Sequence, residues 1–132
     1  MKAENQPGVA IWLTGLPSSG KSTLAQSLHK LLEEKGVTVQ ILDSDNVRKV
    51  LTPAPTYSEE ERDWFYRVLA YIAGLLTENG VNVIIAATAP KREHRQAARE
   101  RIHLFVEVYL NCPEEVCRER DSKGLWKRAE AG

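Results

Sequence analysis

Eight residues, Gly15-Leu16-Pro17-Ser18-Ser19-Gly20-Lys21-Ser22, set two glycines, an ammonium and a hydroxyl at the spacing G-x-x-x-x-G-K-[ST]. Gly15 and Gly20 permit backbone angles and close approaches that a Cβ would obstruct, so successive N–H groups can point inward at phosphate oxygens. The helical pattern that opens at Thr23-Leu24 would add the positive end of its dipole. Lys21 supplies a point charge for the β- and γ-phosphates, and the Ser22 hydroxyl suits Mg²⁺. Residues 15–23 therefore form a candidate ATP grip: Gly15, Leu16, Pro17, Ser18, Ser19, Gly20, Lys21, Ser22 and Thr23.

A second group with chemical reach is the pair Asp43 and Asp45. If extended geometry persists, residues two apart point to the same side. One carboxylate can then bear on Mg²⁺ with Ser22, and the other on an attacking hydroxyl; the plainer reading makes Asp45 the cap of a helix beginning near Val47. Arg48 could hold an anion beside them. Arg62, three residues before Phe65, suggests a charged pocket wall against an aromatic, or a solvated first-turn arginine. Arg92, Arg95 and Arg99 share a helical face that could clamp phosphate or sulfate, or pair with Glu93 and Glu100 as a solvated stripe. Lys123 and Trp126 are an anion partner and a stacking surface, or ordinary surface. Cys112 and Cys117 lack a second pair or a nearby His for zinc and read as free thiols.

The elements that must position these groups follow from the apolar pattern. Val9 to Leu13 reads as a buried strand leading into the glycine-rich turn, and Leu24, Leu28, Leu31 and Leu32 give the next helix its face, ending at Lys35-Gly36. Residues 37–42 form a second strand that delivers Asp43 and Asp45 at its C-terminal end, which in an open α/β sheet faces the ligand crevice. Ser58 and Glu61 make a capping box for a long helix to about Asn79, with Phe65, Val68, Leu69, Ile72, Leu75 and Leu76 on its core side and Trp64 and Tyr66 flanking. Residues 81–87 are too apolar for a half-exposed strand, which predicts a parallel sheet covered on both faces. A basic helix over 91–101, a fourth strand over 103–110 and a short helix from Glu114 to about Arg120 complete the pattern.

Composition narrows the function classes. The 132 residues carry 18 basic and 18 acidic side chains, so the basic excess usual in nucleic-acid or membrane-surface proteins is missing. No apolar run approaches the length of a membrane span, and residues 1–7 read as a polar, frayed leader without a signal-peptide core. The expectation is one soluble, cytoplasmic domain acting on small anions, with a homodimer left open.

With the P-loop, Leu42-Asp43-Ser44-Asp45-Asn46-Val47-Arg48, Tyr57-Ser58-Glu59-Glu60-Glu61-Arg62, Ala89-Pro90-Lys91-Arg92 and Asp121-Ser122-Lys123-Gly124-Leu125-Trp126 in this order, the chain resembles adenylylsulfate kinases from about Val9 to Gly132. The resemblance implies a three-layer α/β/α fold of the P-loop nucleoside triphosphate hydrolase type, with parallel strands in the order 2-3-1-4. It implies transfer of the γ-phosphoryl of ATP to the 3′-hydroxyl of adenosine 5′-phosphosulfate, with Mg²⁺. Asp45, Arg48, Arg62 and Lys123 then fall where the family contacts its sulfonucleotide, Asp43 where it organises metal or acceptor hydroxyl, and Phe65 and Thr88 beside the substrate. Lys21, Asp43 and Asp45 are the expected catalytic set.

Departures from the family pattern are specific. Ser44 replaces a glycine, Tyr57 a phenylalanine, and Thr88-Ala89-Pro90 an Ile-Ser-Pro segment, so no phosphoserine can form there. Phe65 replaces an asparagine, exchanging an amide for a ring that can only stack or fill space; Phe65→Asn is expected to improve use of adenylylsulfate. The family's lid-like stretch, fifth strand and final helix are expected to be missing, leaving residues 104–110 as an unpaired edge. Two other functions keep the same P-loop: a kinase for another phosphorylated or hydroxylated metabolite, and a nucleotide-binding module without turnover.

Overall fold

The computed structural model describes residues 6–16, 19–56, 58–89 and 91–120, apart from the side chains of Arg118 and Arg120. Within them, β1 (Val9–Thr14), α1 (Lys21–Glu34), β2 (Val39–Asp43), α2 (Ser44–Leu51), α3 (Glu59–Glu78), β3 (Asn82–Ala86), α4 (Arg92–Arg101), β4 (Leu104–Tyr109) and α5 (Glu114–Arg120) follow one another. The strands pair in the order β2-β3-β1-β4, all parallel, as the sequence implied. Among the described residues no helix is long and apolar enough to cross a membrane.

Alternation along the two central strands splits the core into two layers. Ala10, Trp12, Val83 and Ile85 face one side with Phe65, Leu69 and Ala73 of α3 and Ala98 of α4. Leu13, Ile84 and Ala86 face the other side with Val39 and with Ala25 of α1. A strand buried on both faces needs apolar residues at every position, which is why β3 reads as a continuous run rather than an alternation. Across the first layer Trp12 is fully buried, and its indole N–H donates to the Ala87 carbonyl at 3.3 Å. That bond holds the end of β3 to the strand that leads into the P-loop.

Two sequence expectations need correction. The second acidic residue does not continue an extended strand: α2 begins at Ser44, and Asp43 is its N-cap. The cap therefore lies two residues earlier than expected, because an aspartate ending a strand can turn straight into a helix. On α3 the buried residues are Phe65, Tyr66, Leu69, Ala70, Ala73, Gly74 and Thr77, while Leu75 is 41% exposed. The face is rotated toward small side chains because α4 lies close against it. A Cβ at Gly74 would stand 2.1 Å from Arg101 Nε.

Among the described residues β4 pairs with β1 alone, and Leu104, Val106 and Tyr109 are exposed along it.

Candidate active site

The turn after β1 carries the candidate grip. Gly15 has φ 150°, and a Cβ there would meet the Leu110 carbonyl and Ser19 Oγ at 3.0 Å, so a glycine serves both the backbone angle and the space. Gly20, at φ 101°, is the left-handed N-cap of α1. No side chain caps that end and no acidic residue occupies the first turn. The first helical bond is Leu24 N–H to Gly20 carbonyl at 2.8 Å, so the amides of Lys21, Ser22 and Thr23 precede the helical ladder. The Lys21 ammonium lies over the loop, donating to the Gly15 and Leu16 carbonyls at 2.9 and 2.8 Å. The uncapped N-terminus of α1 and the Lys21 cation thus lie on the same turn, chemistry suited to holding a polyphosphate.

The tip of β2 adjoins it. Ser22 Oγ donates to Asp43 Oδ2 at 2.6 Å, while Asp43 Oδ1 accepts from the Asp45 amide at 3.0 Å. One carboxylate therefore holds the hydroxyl of α1 and caps α2. Asp45 sits half-buried in the first turn of α2, so its place beside Asp43 comes from helix geometry and not from strand alternation. Among the described residues no three His, Cys, Asp or Glu side chains are grouped to hold a metal. Ser22 and Asp43 nevertheless offer two hard oxygens in contact. A small divalent cation that takes the rest of its ligands from phosphates and water needs no more from a protein.

Arg48 and Phe65 form a unit that the sequence expectations did not contain. The Arg48 guanidinium lies 4.0 Å from the centroid of the Phe65 ring, and the ring is fully buried. Phe65 therefore lies on the core side of α3, as its place in the apolar pattern implied, and also serves as a platform for Arg48. Arg48 Nη1 also lies 3.9 Å from Glu61 Oε1. Glu61 Oε2 in turn accepts from the Thr56 amide and hydroxyl at 2.9 and 2.7 Å. Phe65, the aromatic expected beside Arg62, lies under the Arg48 guanidinium. Arg62 is exposed and lines a small cavity of about 170 Å³ with Glu59, Asp63, Lys91 and His94.

That cavity has its own charge network. His94 is buried and its Nε2 stands 2.8 Å from Asp63 Oδ1, with Lys91 Nζ 3.5 Å from the same oxygen and paired to Glu59. The His94 hydrogen bond, helped by the Lys91 charge, holds the Asp63 carboxyl below its usual range. The hydrogen bond to Glu59 raises Lys91. Nothing in the spacing of Asp63 and His94, which lie on different helices, announces this pairing.

Thr88, half-buried at the end of β3, gives its carbonyl to Thr14 Oγ1 at 2.6 Å. Neither expected reading of the arginine face fits Arg95 and Arg99. Both pair with Glu107 of β4, at 2.9 and 3.3 Å, rather than with Glu93 or Glu100. Arg99 also lies over Phe105. They fasten α4 to the sheet. Of the candidate residues, Pro17, Ser18, Lys123 and Trp126 lie outside the described residues.

A family model described as adenylylsulphate kinase matches residues 7–132. An adenylyl-sulfate kinase of Rippkaea orientalis is 47% identical over 96% of this chain and 70% of its own length. That of Halothermothrix orenii is 46% identical over 97% of this chain and 69% of its own length. Among solved structures, the Mycobacterium tuberculosis APS kinase CysC in complex with AMPPNP and APS superposes with a TM-score of 0.88. It is 38% identical, over 96% of this chain and 76% of that one.

Proposed function

Since this chain belongs to the adenylylsulphate kinase family, we propose that it transfers the γ-phosphoryl group of ATP to the 3′-hydroxyl of adenosine 5′-phosphosulfate, giving PAPS. The observation that carries the reading is the contact between Ser22 and Asp43, which brings the P-loop helix and the acidic tip of β2 to one point. Phosphoryl transfer asks little covalent chemistry of a protein; it asks for positioning and for charge where charge develops.

In this reading the amides of the Gly15–Thr23 turn and the Lys21 ammonium grip the triphosphate. Lys21 moves from the loop carbonyls onto the β- and γ-phosphates, exchanging weak acceptors for strong ones. Ser22 and Asp43 would hold Mg²⁺, whose charge neutralises the phosphate oxygens. Asp45 accepts the proton of the acceptor hydroxyl as its oxygen bonds to the γ-phosphorus and the bond to the ADP oxygen breaks. Arg48, Arg62 and Lys123 meet the anionic groups of the acceptor. Arg48 arrives pre-oriented by the Phe65 ring beneath it, which lowers the entropic cost of binding. Phe65 thus acts through Arg48, and Thr88 lines the acceptor's side of the site.

Release of ADP measured with and without adenylylsulfate tests the reading. Stimulation by adenylylsulfate supports it. Stimulation by another acceptor alone, or nucleotide binding without turnover, overturns it.

A further inference from the structure

The segment 87–89, between β3 and α4, is held at more points than its length requires. The Ala87 carbonyl accepts from the Trp12 indole at 3.3 Å and the Thr88 carbonyl from Thr14 Oγ1 at 2.6 Å. The Ala89 amide donates to the Tyr66 hydroxyl at 3.1 Å, and the Ala89 carbonyl accepts from Arg95 Nη1 at 2.6 Å. Four backbone groups within three residues are thus tied to four side chains from three elements. Two of those side chains, Trp12 and Thr14, belong to the strand that feeds the P-loop.

Ala89 has φ 41°, the one non-glycine residue with positive φ among those described. An L-residue pays for this conformation through its Cβ, and Ala89 also precedes Pro90, a position ordinarily driven to extended angles. Such a bend persists only where its surroundings over-determine it, and bends of this kind gather at functional sites. Ala89 is fully buried, so solvent contributes nothing to its shape.

We infer that Tyr66 and Arg95 are positioning residues that clamp the Ala89 bend and thereby fix Thr88 against the P-loop strand, setting the acceptor's side of the site. Tyr66 fits the task because its ring is itself locked, edge-on to Phe65 and 4.4 Å from the His94 ring. Its hydroxyl then stands at a fixed point where the Ala89 amide needs an acceptor. Arg95 is anchored through Nε to Glu107 of β4, which leaves Nη1 aimed at the bend.

The inference rests in part on the proposed function, so its test has two arms. In the first, amide exchange at Ala89 is compared between the wild-type chain and Tyr66→Phe, which removes one oxygen and keeps the ring. Exchange should accelerate at least about tenfold, and unchanged protection overturns the clamp whatever the acceptor is. In the second, steady-state kinetics with adenylylsulfate should show the acceptor KM raised about tenfold, with the ATP KM within about twofold. Arg95→Gln, which leaves the core intact, should move the acceptor KM in the same direction. Adding Ala89→Gly to Tyr66→Phe should recover part of the loss, because glycine adopts this bend without the Cβ cost. Equal losses for ATP and acceptor, or no recovery with glycine, would reduce Tyr66 to a packing residue. A wild-type chain inert toward adenylylsulfate fails the functional reading alone, since the exchange arm still decides the clamp.

Discussion

Asp43 holds Ser22 Oγ at 2.6 Å with one carboxylate oxygen and the Asp45 amide at 3.0 Å with the other. The strand β2, the P-loop helix and the helix α2 therefore meet on a single side chain. A neutral alanine at this point would release three elements at once, whereas an amide would keep the shape and lose only the charge.

The two substitutions should consequently separate. Asp43→Ala removes the N-cap of α2, worth about 1 kcal/mol, and lowers the melting temperature by several degrees. Asp43→Asn keeps a good capping side chain and should melt within about two degrees of wild type. Both should lose at least about a hundredfold in kcat if the carboxylate charge serves the metal-bound phosphates. Thermal melts beside rate measurements over a magnesium series check this. Full activity in Asp43→Asn would confine Asp43 to a structural part.

Burial reverses the sequence expectation for Phe65. An asparagine there would leave a cavity and an amide without solvent in a core where Phe65 is fully buried, at a cost of about 3 kcal/mol. It would also take the ring from under Arg48. Phe65→Asn should thus raise the acceptor KM, while Phe65→Leu, which refills much of the space without a π face, isolates the loss of the cation–π contact at a few-fold. A lower acceptor KM in Phe65→Asn would show that the ring obstructs the site.

These two residues illustrate what the chain discloses by itself. The P-loop is legible because glycine, lysine and serine act through neighbours a few residues away, and the sheet order followed from the family resemblance that those motifs carried. Asp43 and Asp45 were visible as carboxylates, yet the strand runs into α2 without a loop, so which one caps was decided by a turn that either could make. The faces of α3 were less legible. Gly74 on its inward side lies under the Arg101 side chain of α4, a contact between helices that no periodicity encodes. Tyr66, expected only to flank the core face, is buried, and the backbone partner of its hydroxyl lies 23 residues away, beyond any local pattern.

Gly8, just ahead of β1, makes a strong stability prediction. Its amide donates to the Thr77 carbonyl at 2.7 Å, and a Cβ there would lie 2.0 Å from the Val81 carbonyl oxygen. Backbone cannot yield as a side-chain end can, so Gly8→Ala should cost about 2–3 kcal/mol through displacement of the β1–β3 pairing. Urea unfolding measures the loss directly. A change below about 0.5 kcal/mol would mean that the entry to β1 moves freely.

Acid stability should carry the mark of Asp63. Its carboxyl is held below the ordinary aspartate value of about 3.9 by the His94 hydrogen bond and the Lys91 charge. A group depressed in the folded state stabilises fully above its unfolded value, and that contribution is lost as pH falls through the folded one. The window is therefore below about pH 4, where the native chain must take up a proton it resists. Asp63→Asn should lower stability near neutral pH and flatten the decline below about pH 4, read from melts over a pH series. A slope in that range unchanged by the substitution would assign the acid sensitivity to other carboxylates.

Lys21 tests the grip itself. Its ammonium donates to the Gly15 and Leu16 carbonyls, two neutral acceptors beside a half-buried side chain, so Lys21→Ala should unfold within about 1 kcal/mol of wild type. Catalysis has no such substitute, because charge developing on the transferred group needs a fixed cation close by. The transfer rate should fall by about two to three orders of magnitude, as on removal of a single transition-state donor. Lys21→Arg keeps the charge but is bulkier and planar, and should restore little, since the turn is built around a point charge on a slender stem. Nucleotide affinity separates the two parts of the argument. Backbone amides and the helix start remain in Lys21→Ala, so ATP should still bind with a loss of roughly tenfold, far less than the loss in rate. Equal losses in affinity and rate would mean that Lys21 binds the ground state and the transition state alike.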